Sequence, residues 1–195
     1  MDSIEKIKEY IERNMSEKRR LHTYGVCETA VKLAQQYGCD TEKARLAALL
    51  HDIYRGIPSS TLDYYVRHLG LDEKYLGNAN LAHGKIAAAT CGREFGVTDS
   101  DVINAVSYHT TGRAGMSLLE EIIYVADAIE PGRDYPGVEE IRRAAEEDLD
   151  RACLISLAHT IDYVKSEGKY LDRDTIRARE YFTDKLNKKG EQHDK

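Results

Sequence analysis

Apolar residues recur at three- and four-residue intervals along almost the whole chain, and no stretch alternates with period two. The pattern predicts an all-α protein. Ile4, Ile7 and Ile11 form the stripe of a first helix from about Ser3 to Asn14. Ser16 caps a second, which stops at Gly38. A third opens at Asp40 or Thr41 with Leu46, Leu49, Leu50 and Ile53 on its core face, and Gly56 and Pro58 break it. Pro58 begins a short amphipathic helix ending near Gly70. Further helices are expected over Asn80 to Phe95 and from a cap at Thr98 or Asp99 to His109. Another follows Ser117-Leu118-Leu119-Glu120, which has capping-box form. The segment from Pro131 to Gly137 is too rich in Pro and Gly to be helical. Two more helices, from Val138 to Leu157 and onward and from Asp174 to Leu186, complete a bundle of eight or nine. Residues 1–187 read as a single domain and 188–195 as a polar, frayed tail.

Composition narrows the classes of function. At 195 residues the chain can bury one sizeable core. A net charge of −6 speaks against a nucleic-acid partner, because backbone phosphates call for a basic surface. It leaves room for a small polyphosphate whose charge is met locally. No apolar stretch has the length of a membrane span and no charged-then-apolar leader is visible, so no membrane partner is expected. Cys27, Cys39, Cys91 and Cys153 are scattered with no Cys-x-x-Cys pair, which fits free thiols in a reducing cytoplasm. Glycine-rich phosphate loops and the Gly-x-Ser-x-Gly elbow are both missing from the sequence, so kinase, dehydrogenase and serine-hydrolase chemistries lack their main part.

Candidate chemistry centres on His51-Asp52, which closes the apolar run Ala47 to Leu50. A carboxylate and an imidazole in that setting are costly to bury without strong partners, and a metal ion is one. His22, His83, His109 and Asp127 each fall on a predicted helix of their own. Four imidazoles and two carboxylates can supply two divalent metals. A carboxylate has two oxygens while an imidazole offers one free nitrogen at a time, so Asp52 is the natural bridge. The other histidines, His68, His159 and His193, are expected to be structural or solvated.

The order H…HD…H…H…D resembles that of the HD-domain metallophosphohydrolase superfamily. Lys18-Arg19-Arg20-Leu21-His22, Ala47 to Asp52, His109-Thr110-Thr111-Gly112 and the run from Asp127 to Gly137 resemble the bacterial YqeK family more closely. That likeness covers about Lys18 to Asp184, and the block from His109 to Gly137 is its most specific part. It implies an HD-domain helical bundle with a dinuclear metal site and symmetrical hydrolysis of diadenosine tetraphosphate to two ADP. It also implies that His22, His51, Asp52 and Asp127 hold one metal while Asp52, His83 and His109 hold the other. A shared water would then attack an inner phosphorus. The likeness leans towards iron, although manganese, nickel, cobalt or zinc would suit the same donors.

Around these ligands the substrate needs further cations and donors. Arg55 stands three residues after Asp52, where many relatives carry lysine; it keeps the charge but cannot give up a proton at useful pH. Arg133 is the expected second phosphate clamp, and Thr110, Thr111 and Gly112 are expected along the phosphate path. From the basic run before His22, Arg20 is the expected contact, and Lys85 is a weaker candidate. Tyr54, Tyr108 or Tyr135 is placed to stack on a base. Tyr135 stands where the family pattern has phenylalanine. Two rival readings share these residues: an HD-type phosphohydrolase of another nucleotide, and a metal-bound nucleotide sensor without turnover. An apolar helical face leaves a homodimer open.

Overall fold

The structure is a computed structural model that describes residues 3–193. Among them it forms ten α-helices and no strand: α1 (Ser3–Asn14), α2 (Glu17–Tyr37), α3 (Thr41–Leu50), α4 (Ser59–His68), α5 (Ala79–Phe95), α6 (Ser100–Tyr108), α7 (Leu118–Ile129), α8 (Val138–Glu147), α9 (Leu149–Ser166) and α10 (Arg173–His193). A single 3-10 turn, Glu73–Tyr75, precedes α5. The boundaries follow from local chemistry. Ser16, Asp40, Asp99 and Ser117 each accept a backbone N–H at a helix start, and Ser117 with Glu120 completes the capping box. None of the described helices is long and apolar enough to cross a membrane.

Helix α7 is the axis of the fold. Every residue from Leu119 to Ala126 is buried, as expected of a helix apolar on nearly all sides. Helices α2, α6, α8 and α9 pack around it, and α3 crosses beside α2. Ala44, Ala47 and Ala48 of α3 and Ala30 and Ala34 of α2 are fully buried. Such short side chains bring the α2 and α3 backbones close, which sets His22 on α2 opposite His51 at the end of α3.

Two boundaries differ from expectation. The helix predicted from Val138 to beyond Leu157 is two helices, because Asp148 interrupts it. Its backbone is extended (φ −148°, ψ 112°), and its carboxylate caps α9 by accepting from the N–H groups of Asp150 and Arg151 at 2.9 and 3.3 Å. The second difference is at the C-terminal end, where α10 continues past Leu186 through the segment expected to fray, as far as His193. Lys185 and Lys189, one turn apart, each reach Asp150 at 2.6 Å, and Lys189 also lies 3.3 Å from Asp148. These pairs dock the last turns of α10 onto the start of α9. Residues 194–195 of the expected tail lie outside the described residues.

Glu121 shares this cluster, 3.4 Å from Lys185, which is closer to Asp150. Burial, together with the Asp150 carboxylate and against the pull of Lys185, raises its pKa from 4.5 to about 7. Between those values the folded state holds a proton that the unfolded state has lost, so this group's contribution to stability falls as pH rises and is level above about 7. Glu121→Gln should therefore match wild type near pH 4.5 and exceed it by on the order of 3 kcal/mol above pH 7. Denaturant unfolding of both proteins across that range is the check; a difference that does not grow with pH would contradict it.

Candidate metal centre

The six expected ligands converge from five elements. His22 comes from the second turn of α2, His51 and Asp52 from the end of α3, His83 from α5, His109 from the end of α6 and Asp127 from the last turn of α7. Asp52 stands at the middle. Its Oδ1 lies 3.1 Å from His83 Nε2 and 3.9 Å from His109 Nε2. Its Oδ2 lies 3.6 Å from His22 Nε2 and 3.7 Å from His51 Nε2. Asp127 Oδ1 faces the second pair only, at 3.1 Å from His22 and 3.9 Å from His51. One carboxylate is thus divided between two histidine pairs. The two sets, His22 with His51 and Asp52, and Asp52 with His83 and His109, each bring their donor atoms within 4.8 Å of one another.

The opposite ring nitrogens decide what these donors can do. His51 Nδ1 donates to the Ala48 carbonyl at 2.6 Å, His109 Nδ1 to Val106 at 2.8 Å and His83 Nδ1 to Ala79 at 3.1 Å. His22 Nδ1 contacts a carboxylate instead, Glu130 Oε1 at 3.0 Å. With the proton on Nδ1, every Nε2 presents a lone pair to the centre. Burial lowers the pKa of His51, and that of His109 to about 3, so both rings stay neutral. His22 is also pushed down by burial, but Asp127 and Glu130 outweigh this and hold it above its ordinary value.

Such an arrangement suits a divalent cation. The buried Nε2 atoms of His22 and His51 have no hydrogen-bond partner, although buried nitrogens are nearly always satisfied. His83 Nε2 and His109 Nε2 stand 2.9 Å apart, two lone pairs that repel unless something positive lies beside them. Gly84 permits this approach: a Cβ there would lie 2.8 Å from the His109 ring and 3.0 Å from the Val106 carbonyl. Burial alone would raise the pKa of both aspartates, yet the surrounding histidines hold Asp52 well below the carboxylate range, and His22 and Arg133 do the same for Asp127. The two aspartates are therefore anionic and the His51 and His109 rings neutral, the states in which they bind a divalent metal.

Arginines ring the ligands. Arg19 Nη1 donates to Asp52 Oδ2 at 2.6 Å. Arg133 holds Asp127 twice, Nη2 to Oδ1 at 2.5 Å and Nε to the main-chain carbonyl at 2.7 Å. Arg55 is largely buried, and its Nη1 lies 3.5 Å from His83 Nδ1. Among the described residues it has no carboxylate within 4 Å, and burial with Arg19 and Arg133 nearby lowers its pKa. A buried cation without a carboxylate is a waiting anion site.

Two cavities open on this centre, of about 980 Å³ and about 620 Å³. Arg55, His109, Thr110, Asp127 and Arg133 line both, so the cavities meet at the ligands. The larger runs out between the 3-10 turn and the α9–α10 loop, where Lys74 pairs with buried Asp172 at 2.9 Å. The smaller runs towards Tyr135, Pro136 and His159.

Several sequence expectations change here. Arg20 is turned away from the centre, with its Nη1 on the Met15 carbonyl at 3.2 Å and its Nε 3.4 Å from Glu12. Arg19 takes its place because it lies three residues before His22 on one helix face, whereas Arg20 lies two before. Thr110 does line both cavities, with its hydroxyl 3.1 Å from His109 Nε2. Thr111 lines the larger, but its hydroxyl is engaged by the Gly112 carbonyl at 2.9 Å. Gly112 lines neither; in left-handed conformation (φ 62°) it packs among Ala178, Leu157 and Met116. Lys85 caps the Tyr108 ring and donates to Ser107, away from both cavities. Tyr54 is buried and bound to Glu94, so of the three candidate tyrosines Tyr135 alone borders a cavity. His159, expected to be structural or solvated, borders the smaller cavity beside Gly137. Glu130 was not singled out in the sequence. Its signal is positional, three residues after Asp127 and hence on the same side of the α7 terminus.

Residues 19–132 match the family model described as "HD domain". The chain is 39% identical over 167 residues to "Bis(5'-nucleosyl)-tetraphosphatase, symmetrical" of Bacillus subtilis, covering 85% of this chain and 90% of the relative. It is 41% identical over 144 residues to the protein of the same name from Staphylococcus aureus, covering 73% and 74%. A crystal structure of a "predicted HD superfamily hydrolase involved in NAD metabolism" from Clostridium acetobutylicum superposes with a TM-score of 0.88 and 44% identity, over 93% of this chain and 97% of that one.

Proposed function

Because this chain belongs to the HD-domain family, and within it to the symmetrical bis(5'-nucleosyl)-tetraphosphatases, we propose that it hydrolyses diadenosine tetraphosphate at the central anhydride to give two ADP. The observation that carries the reading is the position of Asp52, divided between two histidine pairs on the wall of the larger cavity. A substrate with two like halves fits two adjoining chambers that share Arg55, His109, Asp127 and Arg133. His22, His51, Asp52 and Asp127 would hold one metal, and Asp52, His83 and His109 the other. Bound there, two divalent ions supply a hydroxide at neutral pH and a Lewis acid for the phosphate oxygens.

The protein's own groups do the rest. Arg55 and Arg133, on the wall common to both cavities, draw the inner phosphates towards Asp52. Arg19, beside Asp52, adds a third cation on the larger cavity. A tetraphosphate carries several negative charges, and an overall acidic protein meets them with this local cluster. Tyr135 and His159 border the smaller chamber and offer planar faces to one base. Arg55 does not donate a proton; its part is to stabilise charge on the departing ADP. The native metal in this reading is iron, and the compartment is the cytoplasm in keeping with four free cysteines; an apolar helical face leaves a homodimer open.

Incubation in isotopically labelled water tests the reaction. ADP should be the sole nucleotide product of diadenosine tetraphosphate, with the label on the terminal phosphate of one ADP in each pair. Equal amounts of AMP and ATP would mean cleavage of an outer anhydride and would sink the proposal. Faster turnover of an ordinary nucleoside triphosphate in the same panel would favour a different HD-type phosphohydrolase.

A further inference from the structure

Three of the four histidines lean on neutral main-chain carbonyls, and His22 alone leans on a carboxylate. Glu130 is buried, at 4% exposure, in the first residue after α7. Its Oε1 takes His22 Nδ1 at 3.0 Å and its Oε2 takes the Gly132 N–H at 2.6 Å. The arginine nitrogen nearest the carboxylate, Nε of Arg133, is 4.0 Å from Oε1, while Arg142 Nη2 donates to the Glu130 main-chain carbonyl at 2.9 Å. The fold makes room for this carboxylate on two sides. A Cβ on Gly25 would stand 2.7 Å from Oε2, and one on Gly132 would stand 3.0 Å from it. Two glycines and a backbone N–H thus fix a buried anion whose one side-chain hydrogen-bond partner among the described residues is a ligand imidazole.

We propose that Glu130 is a positioning residue which, acting through His22 Nδ1, makes the metal position at His22, His51, Asp52 and Asp127 the tighter of two unequal positions. An anion behind an imidazole draws its Nδ1 proton and raises the donor strength of Nε2. That position also has Asp127, which the other lacks. The position at His83 and His109 has neutral carbonyls behind its rings, only a share of Asp52, and the Arg55 cation 3.5 Å from His83. Arg19 and Arg133 sit on carboxylate oxygens of the first position as Arg55 sits beside the second, so it is the two further anions, Asp127 and Glu130, and the stronger His22 donor that favour the first. The weaker one keeps fewer protein ligands and more open coordination, which suits the position that exchanges ligands with substrate. The inference rests on the two-metal reading of the centre but not on the identity of the substrate.

The test is titration of metal-free protein with manganese and with cobalt, followed by calorimetry and by the visible spectrum of bound cobalt. Wild type should show two unequal affinities. Glu130→Gln keeps the size and one of the two acceptor oxygens but removes the charge, and should weaken the tighter one by about ten- to a hundredfold. The weaker one should stay within about twofold, and the cobalt spectrum of the first equivalent should change. Glu130→Asp should recover part of the loss. In a His22→Ala background the Glu130→Gln change should have no further effect, because the group it acts through is gone. Equal weakening of both positions, or the same loss with and without His22, would make Glu130 a general structural acid and overturn the proposal. If Glu130→Gln fails to fold, Gly25→Ala displaces the same carboxylate, and unchanged affinity at both positions would then overturn it. Binding of a single equivalent by wild type would fail the two-metal reading itself, whereas two equivalents insensitive to Glu130 would fail this inference alone.

Discussion

Asp52→Ala should abolish hydrolysis and disturb both metal positions at once. No other ligand has that reach. Oδ1 of Asp52 is the carboxylate oxygen for His83 and His109, and Oδ2 is shared by His22 and His51. Its loss leaves one position with two neutral imidazoles and no anion, and the other with Asp127 alone. Members of a unit that fails together commonly cost as much singly as jointly, so a drop in turnover of roughly 10⁴-fold or more is expected. Elemental analysis should find less than one stoichiometric metal in the variant against two in wild type. His68→Ala is the matched control: that ring stacks on Tyr64 at the end of α4, 5.4 Å between centroids, and borders neither cavity. It should retain both metals and near-wild-type turnover. Active wild-type protein with no stoichiometric metal, or Asp52→Ala with two, would end the mechanism.

How much of this centre was legible in the sequence depends on what each residue is bonded to. The histidines and aspartates that converge at the centre were legible because a polar residue at the end of an apolar helix stands out, as His51-Asp52 does after Ala47 to Leu50. Helix ends were legible where a cap residue satisfies the first N–H groups, as at Asp40, Asp99 and Ser117. The break at Asp148 was not, since the apolar period continues across it from Ala145 to Leu149 and Ala152, and one extended residue preserves the buried face. The extent of α10 was hidden for a different reason. Lys185 and Lys189 look like solvated tail charges until Asp148 and Asp150, more than thirty residues earlier, are seen beside them. Arg19 and Arg20 could have been told apart by helical phase alone. Gly112 could not, because a glycine that ends a helix and one that cradles a phosphate look alike in sequence, and only the packing of Ala178 and Leu157 decides.

Arg133→Ala should lower catalytic efficiency by about a hundredfold and should also weaken metal binding, a coupling that the sequence did not anticipate. As a phosphate clamp alone, Arg133 would leave metal content unchanged. Instead its guanidinium reaches Asp127 Oδ1 at 2.5 Å and the Asp127 carbonyl at 2.7 Å, so it orients a ligand while bordering both cavities. Asp127 in turn holds the pKa of Arg133 above its ordinary value despite burial, so the pair is a favourable one. Removing the arginine leaves a buried carboxylate with less compensation and strips one cation from the phosphate wall. Each charge-assisted contact is worth roughly 1.5–3 kcal/mol, or about ten- to a hundredfold, and the upper end applies where two functions fall together. Arg133→Lys keeps the charge but cannot hold Asp127 and a phosphate in one planar fork, so it should recover metal affinity better than efficiency. Metal titration, steady-state kinetics and the thermal midpoint of the metal-free proteins should be measured for both variants. Lowered midpoints with turnover and metal affinity at wild-type levels would reduce Arg133 to a structural tether for the loop after α7.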